Sequence, residues 1–238
     1  MVRLARRVET ICTCPIRRVA GLLDQSRERS DIISFGGGAP SLPPPVGFLN
    51  EFNRLLKKDP LRPFAYTGTR GIPALREAVA NDVEKYGNVD FDPFAEIIIT
   101  TGATESIFSS LMCLIDPGEE VIISDPTYLG YKEMIELAGG RAKRISVGAE
   151  NNYQPAAEQL KEVVSSKTKA LILLSPDNPT GRIINESFVK ALVDLAEEYD
   201  FWIIGDDSQG HVRLTFVTEP ENRIEEGIQR IAQYLDRG

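Results

Sequence analysis

The stretch Lys169-Ala170-Leu171-Ile172-Leu173-Leu174-Ser175-Pro176-Asp177-Asn178-Pro179-Thr180-Gly181 decides the fold. From Ala170 to Leu174 the run is continuously apolar and stops at Ser175-Pro176. A strand that does not alternate with polar residues is buried on both faces, which implies a mainly parallel sheet covered by helices. The run then passes into Asn-Pro and Thr-Gly, which are turn signals. In open parallel sheets ligands bind outside the carboxyl ends of the strands. One segment therefore predicts both a central strand and the place to look for chemistry.

The same reading extends in both directions. Upstream, Glu96–Thr101 reads as a strand, Ala103–Leu114 as a helix ended by Asp116-Pro117-Gly118, and Val121–Ser124 as a strand. Tyr128–Leu137 reads as a helix closed by Gly139-Gly140, Arg141–Val147 as a strand and Ala156–Val164 as a helix. Downstream, Asn185–Tyr199 carries Phe188, Leu192, Leu195 and Ala196 on one helical face, and Phe201–Ile204 is a strand ended by Gly205-Asp206-Asp207. The order is βαβαβαβαβ, a three-layer α/β/α arrangement. Its strand ends fall at 102–105, 125–128, 175–181 and 205–209. The tail differs: His211–Val217 alternates polar and apolar residues like a half-buried strand. After it, Thr218 and Glu221 have capping-box spacing, and Ile224, Ile228, Ile231 and Leu235 mark one helix face. No internal repeat or low-complexity stretch is visible.

Composition narrows the function. The 238 residues carry 27 Lys+Arg against 35 Asp+Glu, a net charge of −8, which argues against a general nucleic-acid binder. No apolar run approaches the roughly 18 residues of a membrane span. Cys12, Cys14 and Cys113 are too few for a disulfide scaffold. A single histidine, His211, removes most metal sites and the Ser-His and Cys-His catalytic schemes. Glu9 and Asp24 interrupt the basic N-terminal residues Arg3, Arg6, Arg7, Arg17 and Arg18, and no apolar segment with a cleavage site follows. The expectation is a reducing cytoplasm.

Several segments could carry chemistry, each with an ordinary alternative. Gly102-Ala103-Thr104 at a helix N-terminus suits a phosphate, or is a simple βα turn. Asn178 could present an amide into a crevice, or belong to a loop. Asp206 could pair with a cationic nitrogen, or cap a helix. Tyr128 could stack on a flat ligand, or pack. Arg213 could fork onto a carboxylate, or point to solvent. Gly36-Gly37-Gly38-Ala39-Pro40 allows a close backbone approach, or is a flexible turn. There is no Gly-x-Gly-x-x-Gly and no Gly-x-x-x-x-Gly-Lys-Ser/Thr pattern, which weakens a generic nucleotide-binding domain.

The order of these residues says more than any one of them. The glycine turn at 36–38, Tyr66 before Gly68 and Gly71, Gly102-Ala103-Thr104, Tyr128, Asn178-Pro179-Thr180-Gly181, Asp206 and Arg213 follow one another in one chain. This order resembles the class I/II aminotransferases, the fold-type I enzymes that use pyridoxal 5′-phosphate (PLP). The look is closest to the archaeal-type branch acting on aromatic amino acids or 2-aminoadipate. The resemblance spans about residues 15–207 and resumes at about 211–237. It implies an N-terminal segment (1–45) packing with a small domain, a PLP-binding large domain (46–208), and a C-terminal strand-helix remnant of a small α+β domain (211–238).

By position, the resemblance implies that Gly102, Ala103 and Thr104 hold the PLP phosphate and that Tyr128 stacks on the pyridine ring. Asn178 would hydrogen-bond the phenolic oxygen, and Asp206 would pair with the ring nitrogen. Gly38 and Arg213 would bind the substrate carboxylate. Tyr66 would reach the phosphate of a neighbouring subunit in a homodimer. The substrates would be an amino acid and a 2-oxo acid, exchanged by ping-pong transamination.

This chain departs from the family in one place. The family's lysine forms a Schiff base with PLP and shuttles the proton; it follows the Asp206 equivalent by some tens of residues in a Ser-x-x-Lys-like turn. Here the last lysine is Lys190, only 32 residues follow Asp206, and Gln209 stands where the family has Tyr. The simplest description is an internal deletion with a join near Ser208–His211. In the family fold the two missing strands lie between the 96–101 and 201–205 strands. Removing them separates the phosphate turn from Asp206 or forces those strands together, and exposes strand edges. The expectation is an aminotransferase-family protein that lacks a catalytic residue of its own and holds PLP non-covalently at most. The alternative is a non-catalytic PLP-binding or partner remnant. Among enzyme readings, either this sequence lacks the segment that carries the lysine or another chain supplies the lysine.

Overall fold

A computed structural model describes residues 5–9, 21, 43–87 and 89–207 of the chain. The described residues fall into two compact units: 5–9, 68–87 and 89–207 in one, 21 and 43–67 in the other. The predicted tail strand His211–Val217 and the helix face after it lie outside the described residues, as do Gly38, Gln209 and Arg213.

The smaller unit contains α1 (Val46–Lys58) and a 3₁₀ turn, Arg62–Phe64. In α1, Phe48 stacks on Phe52 with ring centroids 6.2 Å apart, and Arg54 pairs with Glu51 at 2.6 Å. Val46, Phe48, Leu49, Phe52 and Leu55 are all exposed. Tyr66 is fully exposed in this unit.

The larger unit holds α2 (Pro73–Gly87), α3 (Ala103–Leu114), β1 (Glu120–Asp125), α4 (Gly130–Leu137), β2 (Arg141–Ser146), α5 (Ala157–Val163), β3 (Thr168–Ser175), α6 (Glu186–Tyr199) and β4 (Trp202–Asp207). The four strands form one parallel sheet in the order β2-β1-β3-β4. Its central strands bury both faces. Val121, Ile123, Ala170 and Ile172 meet Ile107 and Leu111 of α3 and Tyr131, Met134 and Ile135 of α4. Ile122 and Leu171 meet Leu160 of α5 and Phe188, Leu192 and Leu195 of α6 on the other face. Side chains alternate across a strand, so consecutive apolar residues serve two cores. The sheet with helices on both faces is the three-layer α/β/α fold that the apolar runs implied.

Strand order creates the crevice. The chain leaves β1 toward β2 on one side and leaves β3 toward β4 on the other. The loops after β1 and β3 therefore diverge, and a topological switch point opens between their carboxyl ends. Tyr128 lies in one of these loops and Asn178 in the other.

Three expectations are corrected. Glu96–Thr101 is not a strand: its isoleucines give strand propensity, yet no described strand lies beside it. Propensity without a ladder partner leaves the backbone groups unpaired; here Ile99 N–H donates to the Arg70 carbonyl at 3.1 Å instead. It therefore does not pair with β4 either. The helix predicted from Tyr128 begins at Gly130, two residues later. The last strand runs through Asp207 rather than ending at Ile204, so Asp206 sits within it, opposite Leu174. β4 pairs only with β3 among the described residues, and as an edge it leaves Trp202 58% and Ile203 37% exposed.

Candidate functional site

The N-terminus of α3 is held open by its cap. Gly102 adopts φ 81° and ψ 168°, a conformation reserved for glycine, and no side chain caps the helix. The helix's own first turn braces the preceding residues: Glu105 Oε2 accepts from Thr101 N–H at 2.5 Å, and the hydroxyls of Thr100 and Ser106 lie 2.6 Å apart. Gly102, Ala103 and Thr104 are exposed, and a Cβ at Gly102 would meet no atom within 4 Å. Unpaired N–H groups and the positive end of a helix dipole suit an anion. α3 packs against α4 and β4.

The loop after β1 brings a ring to the switch point. Tyr128 is half-buried and meets Tyr131 edge-on, with centroids 5.3 Å apart and planes at 74°. Gly130 makes room for it, since a Cβ there would come within 2.6 Å of the Tyr128 ring. Tyr131 is fully buried, and its phenol donates to Asp206 Oδ2 at 2.5 Å. Burial raises the Tyr131 phenol well above the ordinary tyrosine value, and the Asp206 hydrogen bond and charge add to it. The phenol is therefore a donor, and among the described residues only Tyr131 hydrogen-bonds the Asp206 carboxylate.

The loop after β3 presents an amide. Asn178 is exposed, and no described residue hydrogen-bonds its side chain. Asp177 N–H donates to the Arg182 carbonyl, and Gly181 N–H donates to the Asp177 carbonyl, both at 2.8 Å, which folds 177–182 into a tight loop. The Asp177 carboxylate accepts from Thr180 Oγ1 at 2.6 Å and, from the loop after β1, from Thr127 Oγ1 at 3.5 Å.

Parallel pairing puts the carboxyl ends of β1, β3 and β4 on one sheet edge. Tyr128, Asn178 and Asp206 are gathered there; Thr127 links the first two loops and Tyr131 links the first to β4. Gly102, Ala103 and Thr104 head a helix on the Tyr131 face of the sheet. Tyr66 belongs to the other compact unit, and Gly38 and Arg213 lie outside the described residues. Sequence reasoning missed Tyr131, Thr127 and Arg182, and gave Asp177 no role. For Tyr131 the available signal was its spacing, one helical turn beyond Tyr128.

The chain as a whole has relatives among known proteins. The family model for aminotransferase class I and II matches residues 30–220. The chain belongs to this family. Its members are PLP-dependent enzymes. An aspartate aminotransferase of Thermotoga maritima is 33% identical over 205 residues, covering 86% of this chain and 53% of the relative. An aspartate/prephenate aminotransferase of Thermus thermophilus is 30% identical over 210 residues, covering 88% and 54%. The solved structure of the Thermus thermophilus aspartate aminotransferase with maleate superposes with a TM-score of 0.80 at 30% identity, covering 86% of this chain and 53% of that one. The chain thus spans about half the length of the curated relatives it matches.

The chemistry of these side chains and helix end suits the parts of PLP. An open helix N-terminus suits its phosphate, a half-buried ring its pyridine, a free amide its phenolic oxygen, and a carboxylate its ring nitrogen. A lysine is not among the residues of these loops. Lys132 pairs with Glu136 on the surface of α4 at 3.5 Å, and Lys190 is exposed on α6.

Proposed function

We propose that this chain binds PLP at the carboxyl edge of its sheet without a covalent bond and does not transaminate alone. Bound PLP supplies an electron sink for the charge left at a substrate Cα when its proton departs. Asp206 keeps the ring nitrogen protonated, with Tyr131 holding the carboxylate from behind. Asn178 orients the phenolic oxygen, Tyr128 covers the ring face, and the N–H groups of Gly102, Ala103 and Thr104 hold the phosphate. Gly38 and Arg213 bind the substrate carboxylate, and Tyr66 serves the phosphate of a partner subunit in a homodimer. The substrates are an amino acid and a 2-oxo acid. No lysine follows Lys190 in this sequence, so no amine there takes and returns the Cα proton.

The observation that carries this reading is the placement of Tyr128, Asn178 and Asp206 at the carboxyl edge of one sheet, tied together through Thr127 and Tyr131. The test is a PLP titration followed by quenching of Trp202, the chain's only tryptophan. Saturable binding that Asn178→Ala and Asp206→Ala weaken supports the reading. Binding indifferent to both contradicts it.

A second reading rests on the sheet's open side. The exposed Trp202 and Ile203 of β4, and the absence of a strand partner for 97–100 among the described residues, favour an internal deletion joined near 208–211 that removes two strands. On this reading the organisation is 1–45, 46–208 and 211–238, and a second polypeptide carrying the lysine restores transamination. Mixing the chain with a lysine-bearing fragment of a relative, and assaying aspartate, an aromatic amino acid and 2-aminoadipate, tests it. Activity absent from both parts alone supports it, and no activity in any mixture opposes it.

A further inference from the structure

Asp177 carries a buried negative charge to which the function above gives no role. Its side chain is 1% exposed, and that of Arg182, whose Nη2 lies 3.6 Å from Asp177 Oδ1, is 3% exposed. The guanidinium fastens this loop elsewhere: it donates to the Tyr153 carbonyl and, at 3.4 Å, to Ser124 Oγ at the end of β1. Arg182 Nε has no hydrogen-bond partner among the described residues. Burial lowers the Arg182 value, and the charge of Asp177 works against that shift. A buried ion pair of this kind is seldom the most stable filling for its space, because both charges lose their hydration. What this pair does offer is connection. Thr180 binds one carboxylate oxygen at 2.6 Å from within the Asn178 loop. Thr127 approaches the other at 3.5 Å, from the loop that carries Tyr128. Asp177 thus stands between the two sides of the switch point.

We infer that Asp177 is a positioning residue: it holds the loop of Asn178 to the loop of Tyr128, so that the amide and the ring keep one relation across the crevice. Supporting groups that lock the rotamers of contact residues are what make a site selective for one geometry. The inference rests on the PLP reading for its consequence, though not for its geometry.

The test uses the full chain with Asp177→Asn, which keeps the shape, and Thr127→Val, which breaks only the link between loops. Without cofactor, hydrogen exchange is compared at 127–131 and at Asp177, Gly181 and Arg182, with α6 as internal reference. Both variants are expected to speed exchange in the two loops and leave α6 unchanged. With PLP, Asp177→Asn is expected to weaken binding about tenfold, and Asn178→Ala to add less in that background than alone. Unchanged exchange at 127–131 in both variants overturns the inference. So does full additivity with Asn178→Ala. If wild type does not bind PLP, the cofactor reading falls, while the exchange pattern still decides whether Asp177 couples the loops.

Discussion

The Tyr131 phenol donates to Asp206 Oδ2 at 2.5 Å, joining the first turn of α4 to β4 across 75 positions of sequence. It ties the side chain expected to face a cofactor nitrogen to the hydrophobic core, because the Tyr131 ring is itself fully buried.

Tyr131→Phe should cost about 1 kcal/mol of stability near neutral pH, the net worth of a hydrogen bond. The pH dependence has a definite sign. Burial first, then Asp206, raises the Tyr131 value above that of an unfolded tyrosine. The stabilisation is whole below the unfolded value of about 10 and is lost as pH rises above it. Urea melts near pH 8 and near pH 10.5 should show the gap between wild type and variant narrowing. A gap that widens contradicts the role given to the phenol.

Asp206→Ala should weaken PLP binding about tenfold to a hundredfold, as expected for losing a charge-assisted contact. Lys190→Ala, on the exposed side of α6, should leave it unchanged. Isothermal titration of both variants checks this, and equal effects would mean that the site is misplaced.

Gly102→Ala forces a side chain into φ 81°, at a cost of about 1–3 kcal/mol. No neighbouring atom would clash, so the cost comes from the backbone alone. Stability from urea melts should fall, and affinity for inorganic phosphate should fall with it. Loss of stability with phosphate affinity intact would detach this helix end from anion binding.

Leu111→Ala should destabilise the larger unit by about 2–5 kcal/mol, since Leu111 is fully buried in the cluster beneath Tyr131. Thermal and urea unfolding measure it, and a loss below 1 kcal/mol would mean that the site rests on a looser core than described.

The central strands β1 and β3 were legible because they are apolar on both faces. Val121, Ile122 and Ile123 leave no polar side to misread, and the predicted ends of β1 and β3 lie within one residue of the observed ones. Glu96–Thr101 has the same composition and fails as a strand, because a ladder partner is a tertiary fact. β4 is similar: its apolar run reads as central, yet Trp202 and Ile203 are exposed at an edge. In the site, Asn178 and Asp206 were visible through their motif order. Tyr131 and Asp177 act through partners 75 and 50 positions away, which no local pattern records.

The most direct test of non-covalent PLP binding combines saturation with PLP, borohydride reduction and mass spectrometry of the peptides. The account predicts saturable quenching of Trp202 with no stoichiometric reduced adduct at any single lysine. One lysine carrying a stoichiometric adduct, and required for transamination by the purified chain, would contradict it.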